Sequence, residues 1–484
     1  MSTLSASGAR IRGDDYQHLF AWIQAMRAVQ PGSGVSAIGI EDPEAGSVDD
    51  VTVYRDDGLH EFFQAKSSVD AREVVSTEWL MEPSRAGGPS VLQRFFKVWN
   101  SGHGRKGTKL TLITNRPPAA DDPVISLRDG RDGTVSARLR EASPRSKAGI
   151  ARRTLAQHLN TTEARLLEFL GDMSLRASRL YEELQEQACP LMYIAGLHHD
   201  EEAIVRGLSI VREWVTGGKR NLSKEDIRTA VKILARPGNL PVASLLIQGI
   251  DRDPMPEGAT IVLDWADLFP GSEPRTRRRP RVDDLWNGKF RPELQEARRK
   301  LRAVGHRRVL VRGYMRLPSW FATGVELGRT AGFEVVSFQG GVPWPSEGEV
   351  GEFPVQVSTD RKLGDGTELG LGIGVAADPS EDVLSFVQES VPQAGRLICI
   401  IPETGSSNVA IGNDTDARAW ALQTRDLVRI VVRRYRPAKI HLFLAAPHGA
   451  ALLLGHLWDR MPVTQLYEDL GPGNGYLPCF LIPN

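Results

Sequence analysis

From about residue 258 to residue 484, short apolar runs alternate with longer amphipathic ones. "ATIVLDW", "RRVLVRGY" and "FEVVSF" are interleaved with "ELQEARRKLRAV" and "WFATGVELGRTAG". After a glycine-rich stretch the series restarts with "LGLGIGVAA", "SEDVLSFVQESV", "RLICIIPE", "DARAWALQTRDLVRIVVRRY", "KIHLFLAAP" and "HGAALLLGHLWDRM". Strand, long helix and strand close most readily into a parallel βαβ unit, so this pattern predicts an α/β fold with parallel sheets. The restart predicts two similar halves, about 258–365 and 366–484, within one domain spanning 241–484. Little residue identity links the halves, so the repeat is one of fold.

The texture upstream is different. Residues 1–145 combine one early helix, "YQHLFAWIQAMRAV", with the strand-like runs "VSAIGIE", "DVTVY", "LHEFFQAK" and "KLTLITN". Residues 146–240 read as mostly helical, with apolar spacings of three and four in "TEARLLEFLGDM" and "EEAIVRGLSIVREWV". That region is either an extension of the first domain or a bridge. "ARPGNLP", 235–241, breaks the pattern and reads as a linker.

Lys plus Arg and Asp plus Glu each number 60, a formal net charge of zero, so any nucleic-acid contact must come from local basic patches. The three cysteines, Cys189, Cys399 and Cys479, form no CxxC pair, which argues against a disulfide framework or zinc knuckle and fits a reducing cytoplasm. "MSTLSASGARIRGDD" lacks the apolar core of a secretory leader. The most membrane-like stretch, "HLFLAAPHGAALLLGHLW" at 441–458, is interrupted by Pro447 and reads as strand, turn and helix, so no membrane partner is expected.

"DVTVYRDDGLHEFFQAK" reads as a hairpin whose Asp-Gly turn supplies positive φ. Gln64 and Lys66 then share one face, because side chains alternate along a strand. Burying a lysine is costly unless it is paired or used for chemistry. The fold back brings the acids of "VDD", 48–50, beside this pair. A two- or four-residue loop puts Asp49 on their face; a one-residue bulge puts Asp50 there. Glu41 lies just upstream in "GIEDPE". In the bland alternative Lys66 snorkels to solvent beside Glu61.

An acid before one strand and Q-x-K on the next resembles the PD-(D/E)xK nuclease core, a restriction-endonuclease-like fold. "GDDYQHLFAW" and "LTLITNRP" resemble the nuclease domains of bacterial antiphage effectors of the CBASS type. The resemblance implies Asp50, rather than Asp49, as the metal-binding acid, with Glu41 and Gln64 completing the protein ligands. It implies Mg²⁺ or another divalent cation and double-stranded DNA as substrate. Lys66 would hold the attacking water and offset transition-state charge. Hard Mg²⁺ suits such oxygen donors. Gln64 stands where the commoner pattern has glutamate, and Tyr16 and Gln17 match the family's opening motif.

In open parallel sheets ligands bind beyond the carboxyl ends of the strands. The residues found there are Arg312, Tyr314 and Arg316, then Trp344, then Thr404 and Ser406, then Pro447 and His448. Arginines bind phosphate, aromatic rings stack on bases and helix N-termini accept anions, which together describe a phosphorylated nucleotide. Trp344 reads equally as a sheet cap and His448 as a helix cap. "PRTRRRPR", 274–281, reads as a pocket wall or a solvated loop. "VLDWADLF", "RGYMRLPSWFATGVELG", "HLFLAAPHGAALLLGHLW" and "VTQLYEDLGPGNGYLPCFLI" resemble the SAVED domain, a sensor of cyclic oligonucleotides. That resemblance implies two fused CARF-like, Rossmann-type halves, a cyclic di- or trinucleotide ligand, and homo-oligomerisation on binding. Together the two resemblances imply a ligand-activated, metal-dependent DNA endonuclease that serves as an abortive-infection effector. The alternatives are a ligand-independent restriction-type nuclease and a sensing scaffold with an inert nuclease core.

Overall fold

Residues 6–43, 46–48, 50–70, 72–84, 87–101, 108–236, 242–253, 256, 258–271 and 273–484 are described by the structure, a computed structural model. Asp49 and positions 237–241 of the expected linker lie outside the described residues. Internal contacts divide the chain into two units, Met1–Asn239 and Leu240–Asn484.

The first unit contains α1 (Ala6–Ala28), β1 (Val35–Ile40), β2 (Val51–Arg55), β3 (His60–Lys66), α2 (Thr77–Met81), α3 (Val91–Asn100) and β4 (Lys109–Thr114). It continues with α4 (Ser136–Glu141), α5 (Lys147–His158), α6 (Glu163–Asp172), β5 (Met173–Arg176), α7 (Tyr181–Ile194), α8 (Glu201–Thr216), β6 (Asn221–Ser223) and α9 (Lys224–Val231). One mixed sheet forms in the order β5-β4-β3-β2-β1-β6, antiparallel through β3 and parallel at β4 and β5. β5 and β6 come from the region read as mostly helical. They span four and three residues, too short to register against the helical periodicity around them, yet they complete both edges of the sheet.

α1 covers one face of this sheet. Phe20 packs on Phe63 with ring centroids 5.1 Å apart. Arg27 donates from both terminal nitrogens to Glu61, at 2.7 and 3.0 Å. Burial alone would raise the Glu61 carboxyl, but the Arg27 guanidinium holds it below its ordinary value. The other face buries Val48 and Phe62 against Phe95 of α3, Leu139 of α4, Leu155 of α5 and Phe169 of α6.

The second unit begins with β7 (Ala243–Gln248), β8 (Ile261–Asp264), α10 (Arg291–Ala303), β9 (Arg308–Tyr314), α11 (Leu317–Glu326), β10 (Glu334–Gln339) and β11 (Val342–Pro345). There follow β12 (Val355–Lys362), β13 (Glu368–Gly374), α12 (Ser380–Ser390), β14 (Ala394–Pro402), α13 (Asp414–Tyr435), β15 (Ile440–Ala445), α14 (His448–His456), β16 (Thr464–Asp469) and β17 (Tyr476–Ile482). Its sheets are ordered β11-β10-β9-β7-β8 and β17-β16-β15-β13-β14-β12. Read in those orders the first five positions correspond: in each sheet four parallel strands carry an antiparallel one at the same edge. The expected limits of the halves need correction at both ends. β7 is an interior strand of the first sheet, between β9 and β8, and starts at residue 243, before 258; its wholly buried "ASLLIQ" carries no alternation to mark it. β12 lies before 366, yet it pairs antiparallel with β14 in the second sheet. Among the described residues no helix is long and apolar enough to cross a membrane. The 441–458 stretch is β15, a turn at Pro447 and α14, and the three cysteines are buried free thiols.

The halves meet where α11 crosses α14. Each helix has glycine at its eighth residue, Gly324 and Gly455. A Cβ on Gly324 would lie 2.2 Å from the Leu452 carbonyl oxygen, and one on Gly455 would lie 2.1 Å from that of Phe321. Phe321 and Leu452 are each the fifth residue of their helix, so the contact is reciprocal. The helix N-termini repeat this exchange. His448 Nε2 donates to the Phe338 carbonyl at 2.8 Å, while Arg316, which caps α11, pairs with Glu468 at 3.5 Å. Phe338 and Glu468 are the fifth residues of β10 and β16.

Two expectations follow from this crossing. Gly455→Ala places a methyl group against backbone that cannot yield, and should lower the stability of the second unit by about 1–3 kcal/mol or more in denaturant unfolding. Burial pushes the Glu468 carboxyl from an ordinary 4.5 up to about 8, against the pull of Arg316. Between those values the folded chain holds a proton that the unfolded chain has released. Stability contributed by this group is therefore present at low pH and lost as pH rises toward 8, with a slope of up to about 1.4 kcal/mol per pH unit. Glu468→Gln should remove that component, so the stability difference between variant and parent should grow in the variant's favour from pH 5 to pH 8.

Candidate active site and sensor pocket

The β2–β3 loop sets the register of the candidate active site. Arg55 N–H donates to the Leu59 carbonyl at 3.1 Å, Gly58 N–H donates to that of Arg55 at 3.1 Å, and Gly58 takes φ of +77°. This is a three-residue loop closed by a left-handed glycine, the G1-bulge form. The odd residue pairs Val51 with Phe63 and puts Asp50, not Asp49, in the row of Gln64. A continued ladder would pair the Ala65 N–H with residue 49. Instead it donates to Asp50 Oδ2 at 2.8 Å, so the carboxylate is anchored at the strand end. The β1–β2 register pairs Ile40 with Val51 and extends the same row to Glu41, whose N–H donates to the Asp50 carbonyl at 3.2 Å. Glu41, Asp50 and Gln64 thus stand across three neighbouring strands, and Lys66 lies two residues beyond Gln64 on its face.

These groups differ in how they are satisfied. Gln64 is 2% exposed, and its amide oxygen is buried without a hydrogen-bond partner. Leaving such an acceptor unpaired costs about 1–3 kcal/mol. Glu41 has a left-handed backbone, φ +46°, and its carboxylate is ion-paired with Arg220. Lys66 is half-buried at the end of β3. Glu61, its partner in the bland reading, points to the opposite face and pairs with Arg27 and Arg55. Among the described residues no three His, Cys, Asp or Glu side chains are grouped to hold a metal. The row instead offers carboxylates and one amide oxygen, a sparse set of the kind that suits Mg²⁺, which retains waters and substrate oxygens.

Sequence reasoning missed Asp42. It is buried, accepts the Tyr54 hydroxyl at 2.7 Å, and folds over Gly39, where a Cβ would lie 3.1 Å from its own. Gly39 pairs with Thr52, so Asp42 covers the same face as the row. Its signal was the acid cluster "GIEDPE" itself. Tyr16 takes a structural place instead of one in the row: it is buried and its hydroxyl donates to the Arg179 carbonyl at 2.8 Å. Gln17 is half-buried.

The structure divides the expected sensor residues into two groups. Ser406, Pro447 and His448 gather at the carboxyl ends of β13, β14 and β15. Ser406 Oγ donates to the Gly374 carbonyl at 3.2 Å, and the Val375 N–H joins that strand end to Ala445 at 2.8 Å. The His448 ring lies 4.5 Å from Trp320 of α11, and burial lowers its pKa, leaving a neutral ring that donates from Nε2. Thr404 is exposed on the neighbouring loop, and Tyr314 is exposed at the end of β9.

The second group is committed to the protein's own backbone and acids. Arg312 donates to Ser244 Oγ at 3.1 Å and pairs with Asp253. Arg316 donates to the carbonyls of Arg277 and Pro274 as well as pairing with Glu468, so its guanidinium ties down the 274–277 segment. Trp344 is corrected outright as an open stacking ring: it is 3% exposed, because pairing with Ser337 turns it under the first turn of α14, against Gly449. The basic run 274–281 matches neither of its readings throughout. Arg277 is 1% exposed and bonds to the carbonyls of Gly271 and Ile250 and to Asp251, whereas Arg279 and Arg281 face solvent. Glu468 was also missed, although "TQLYED" places Thr464, Leu466 and Glu468 on one inward face.

The solved structures of an Acinetobacter baumannii Cap4 SAVED/CARF-domain containing receptor with the cyclic trinucleotide 2'3'3'-cAAA and of a Moraxella osloensis Cap4 SAVED/CARF-domain containing receptor align with TM-scores of 0.42 and 0.38. Their identities to this chain are 15% and 16%, over 100% and 97% of it and 100% and 99% of theirs. CD-NTase-associated protein 4 of Enterobacter hormaechei subsp. hoffmannii is 25% identical over 517 residues, covering 98% of this chain and 99% of that protein. Residues 289–482, all within the second unit, match the SAVED family, the SMODS-associated and fused to various effectors sensor domain.

Proposed function

We propose that this chain is a metal-dependent endonuclease of double-stranded DNA, switched on by a cyclic di- or trinucleotide and acting as an antiphage effector in the cytoplasm. The observation that carries the reading is the buried, unpartnered amide oxygen of Gln64, in register with Asp50 and on the face of Lys66. The SAVED match supports the sensor half, since that family is described as a sensor fused to effectors. The full-length likeness to a protein named for its association with a CD-NTase supports the pairing of effector and sensor.

Asp50, Gln64 and Glu41 are the residues that would hold Mg²⁺. Held there, the cation supplies Lewis-acid polarisation of the scissile phosphate. Asp50 is already aimed by the Ala65 amide, so little reorganisation is required of it. Lys66 places an ammonium where a water can be oriented and phosphate charge offset. Glu41 must exchange Arg220 for the cation, which makes it the most adjustable of the three.

In the second unit, the pocket around Thr404, Ser406, Pro447 and His448 would take the nucleotide, with Tyr314 at the neighbouring strand end. Arg312 and Arg316 would contribute through the framework they brace. Ligand binding would favour self-association and thereby the active nuclease. Moving such a two-state equilibrium from about 1:99 to 99:1 requires roughly 5.5 kcal/mol of differential affinity.

The deciding experiment incubates the full chain with plasmid, Mg²⁺ and a panel of cyclic di- and trinucleotides. Cleavage is expected with a member of the panel only, and should stop on chelation. Lys66→Ala and Gln64→Leu should each lower the cutting rate by at least about 100-fold while nucleotide binding is retained. Cutting without any nucleotide would replace this reading with a restriction-type enzyme. Nucleotide binding with no cutting in any condition would leave a sensing scaffold.

A further inference from the structure

The helical hairpin of α4 and α5 presents a basic surface that the proposed reaction has not used. Its loop, 142–146, is firmly built. Arg152 is buried and donates to the carbonyls of Leu139, Arg140 and Ala142 at 2.8, 3.2 and 3.2 Å, while its Nε bonds to Glu163 of α6 at 2.6 Å. Ser146 caps α5 by accepting from the Gly149 N–H at 3.1 Å, and its hydroxyl donates to the Ser143 carbonyl at 2.6 Å. Gly149 is required here: a Cβ would lie 2.1 Å from the Ser143 oxygen.

This braced turn displays Arg138, Arg140, Arg145 and Lys147, all exposed. Only one acid, Glu141, lies within 138–147. Among the described residues none of the four cations is paired with a carboxylate. Other arginines of the unit are neutralised: Arg116 by Glu73, Arg152 by Glu163 and Arg165 by Glu168. Because the chain carries no net charge, these four cations form a local positive field against a neutral background.

The hairpin's place in the fold gives that field a direction. Leu139 of α4 and Leu155 of α5 share an apolar cluster with Phe62. Phe62, Gln64 and Lys66 alternate onto one face of β3. The basic hairpin is therefore packed on the face that carries the catalytic row.

We infer that the α4–α5 hairpin is a docking surface for the phosphate backbone of duplex DNA, holding substrate on the side of the sheet where Gln64 and Lys66 stand. This rests on the nuclease reading. The contacts are to phosphate, so they supply affinity and register without sequence preference.

The test uses the full chain carrying Lys66→Ala, which prevents cutting, with and without the triple change Arg140→Gln, Arg145→Gln and Lys147→Gln. Binding to a short random-sequence duplex is measured across a salt series in Mg²⁺. Each lost phosphate contact should flatten the plot of log affinity against log salt by about 0.9, so three should flatten it by about 3 and weaken binding on the order of 10- to 100-fold. The charge-conserving set Arg140→Lys, Arg145→Lys and Lys147→Arg should restore the slope, which separates charge from folding. If the parent binds duplex and the neutralised variant matches it in affinity and slope, the hairpin is not the docking surface and the nuclease reading stands. A parent that binds no duplex in any nucleotide state overturns both.

Discussion

The second unit depends on two helices passing close enough for backbone to touch backbone. Gly324 and Gly455 make that possible, each leaving room for a carbonyl of the opposite helix. Two of the residues expected to line a sensor pocket depend on this crossing directly, because Arg316 and His448 stand at the N-terminal ends of the same two helices. Interfaces of this sort are bistable rather than elastic, since a packed core cannot deform continuously. A small change at either N-terminus must be absorbed by the partner half. The two ends are not equivalent. One offers a neutral imidazole to a carbonyl, and the other buries a guanidinium beside a carboxyl whose proton is lost only near pH 8.

In the first unit the comparable constraint is one residue in a turn. Gly58 adds the third residue to the β2–β3 loop, and a one-residue slip exchanges the faces of a strand. With the slip in this sense Asp50 joins Gln64 and Lys66, and Val51 and Val53 are buried in the core. The Asp-Gly pair was visible in the sequence, and so was the need for a bulge if Asp50 was to be used. Periodicity could not choose between the two registers, because the decision rests on backbone geometry at a glycine.

The rest of the fold was legible to the degree that each element carried its own pattern. The strand–helix alternation of the second unit marked β8, β9, β10, β13, β14 and β15 and the helices α10 to α14, and the restart marked two sheets without giving their limits. β7 escaped because a wholly buried strand shows no alternation, and β12 because a polar edge strand shows no apolar face. β5 and β6 are stabilised by neighbours far away in sequence, which no local window contains. The same limit applies to the sites. Trp344, Arg312 and Arg316 were chosen for what their side chains can bind, but partners such as Gly449, Asp253 and the 274–277 carbonyls become apparent only in the fold.

The two candidate sites solve opposite problems of polar burial. The row of Glu41, Asp50 and Gln64 leaves an acceptor unsatisfied at Gln64, a cost that an electropositive group would relieve, and so favours occupancy of that position. In the second unit the cations Arg277, Arg312 and Arg316 already hold carbonyls and acids. A phosphate that claims Arg316 must therefore outbid those partners and leave Glu468 with a proton. The raised carboxyl makes that proton available near neutral pH, so an anion arriving there would meet a proton-linked contact instead of a bare buried charge. Affinity at such a site is moderated by the internal bonds it displaces, whereas the same exchange strengthens the difference between empty and filled states. That difference, and not affinity alone, is what can shift a two-state equilibrium.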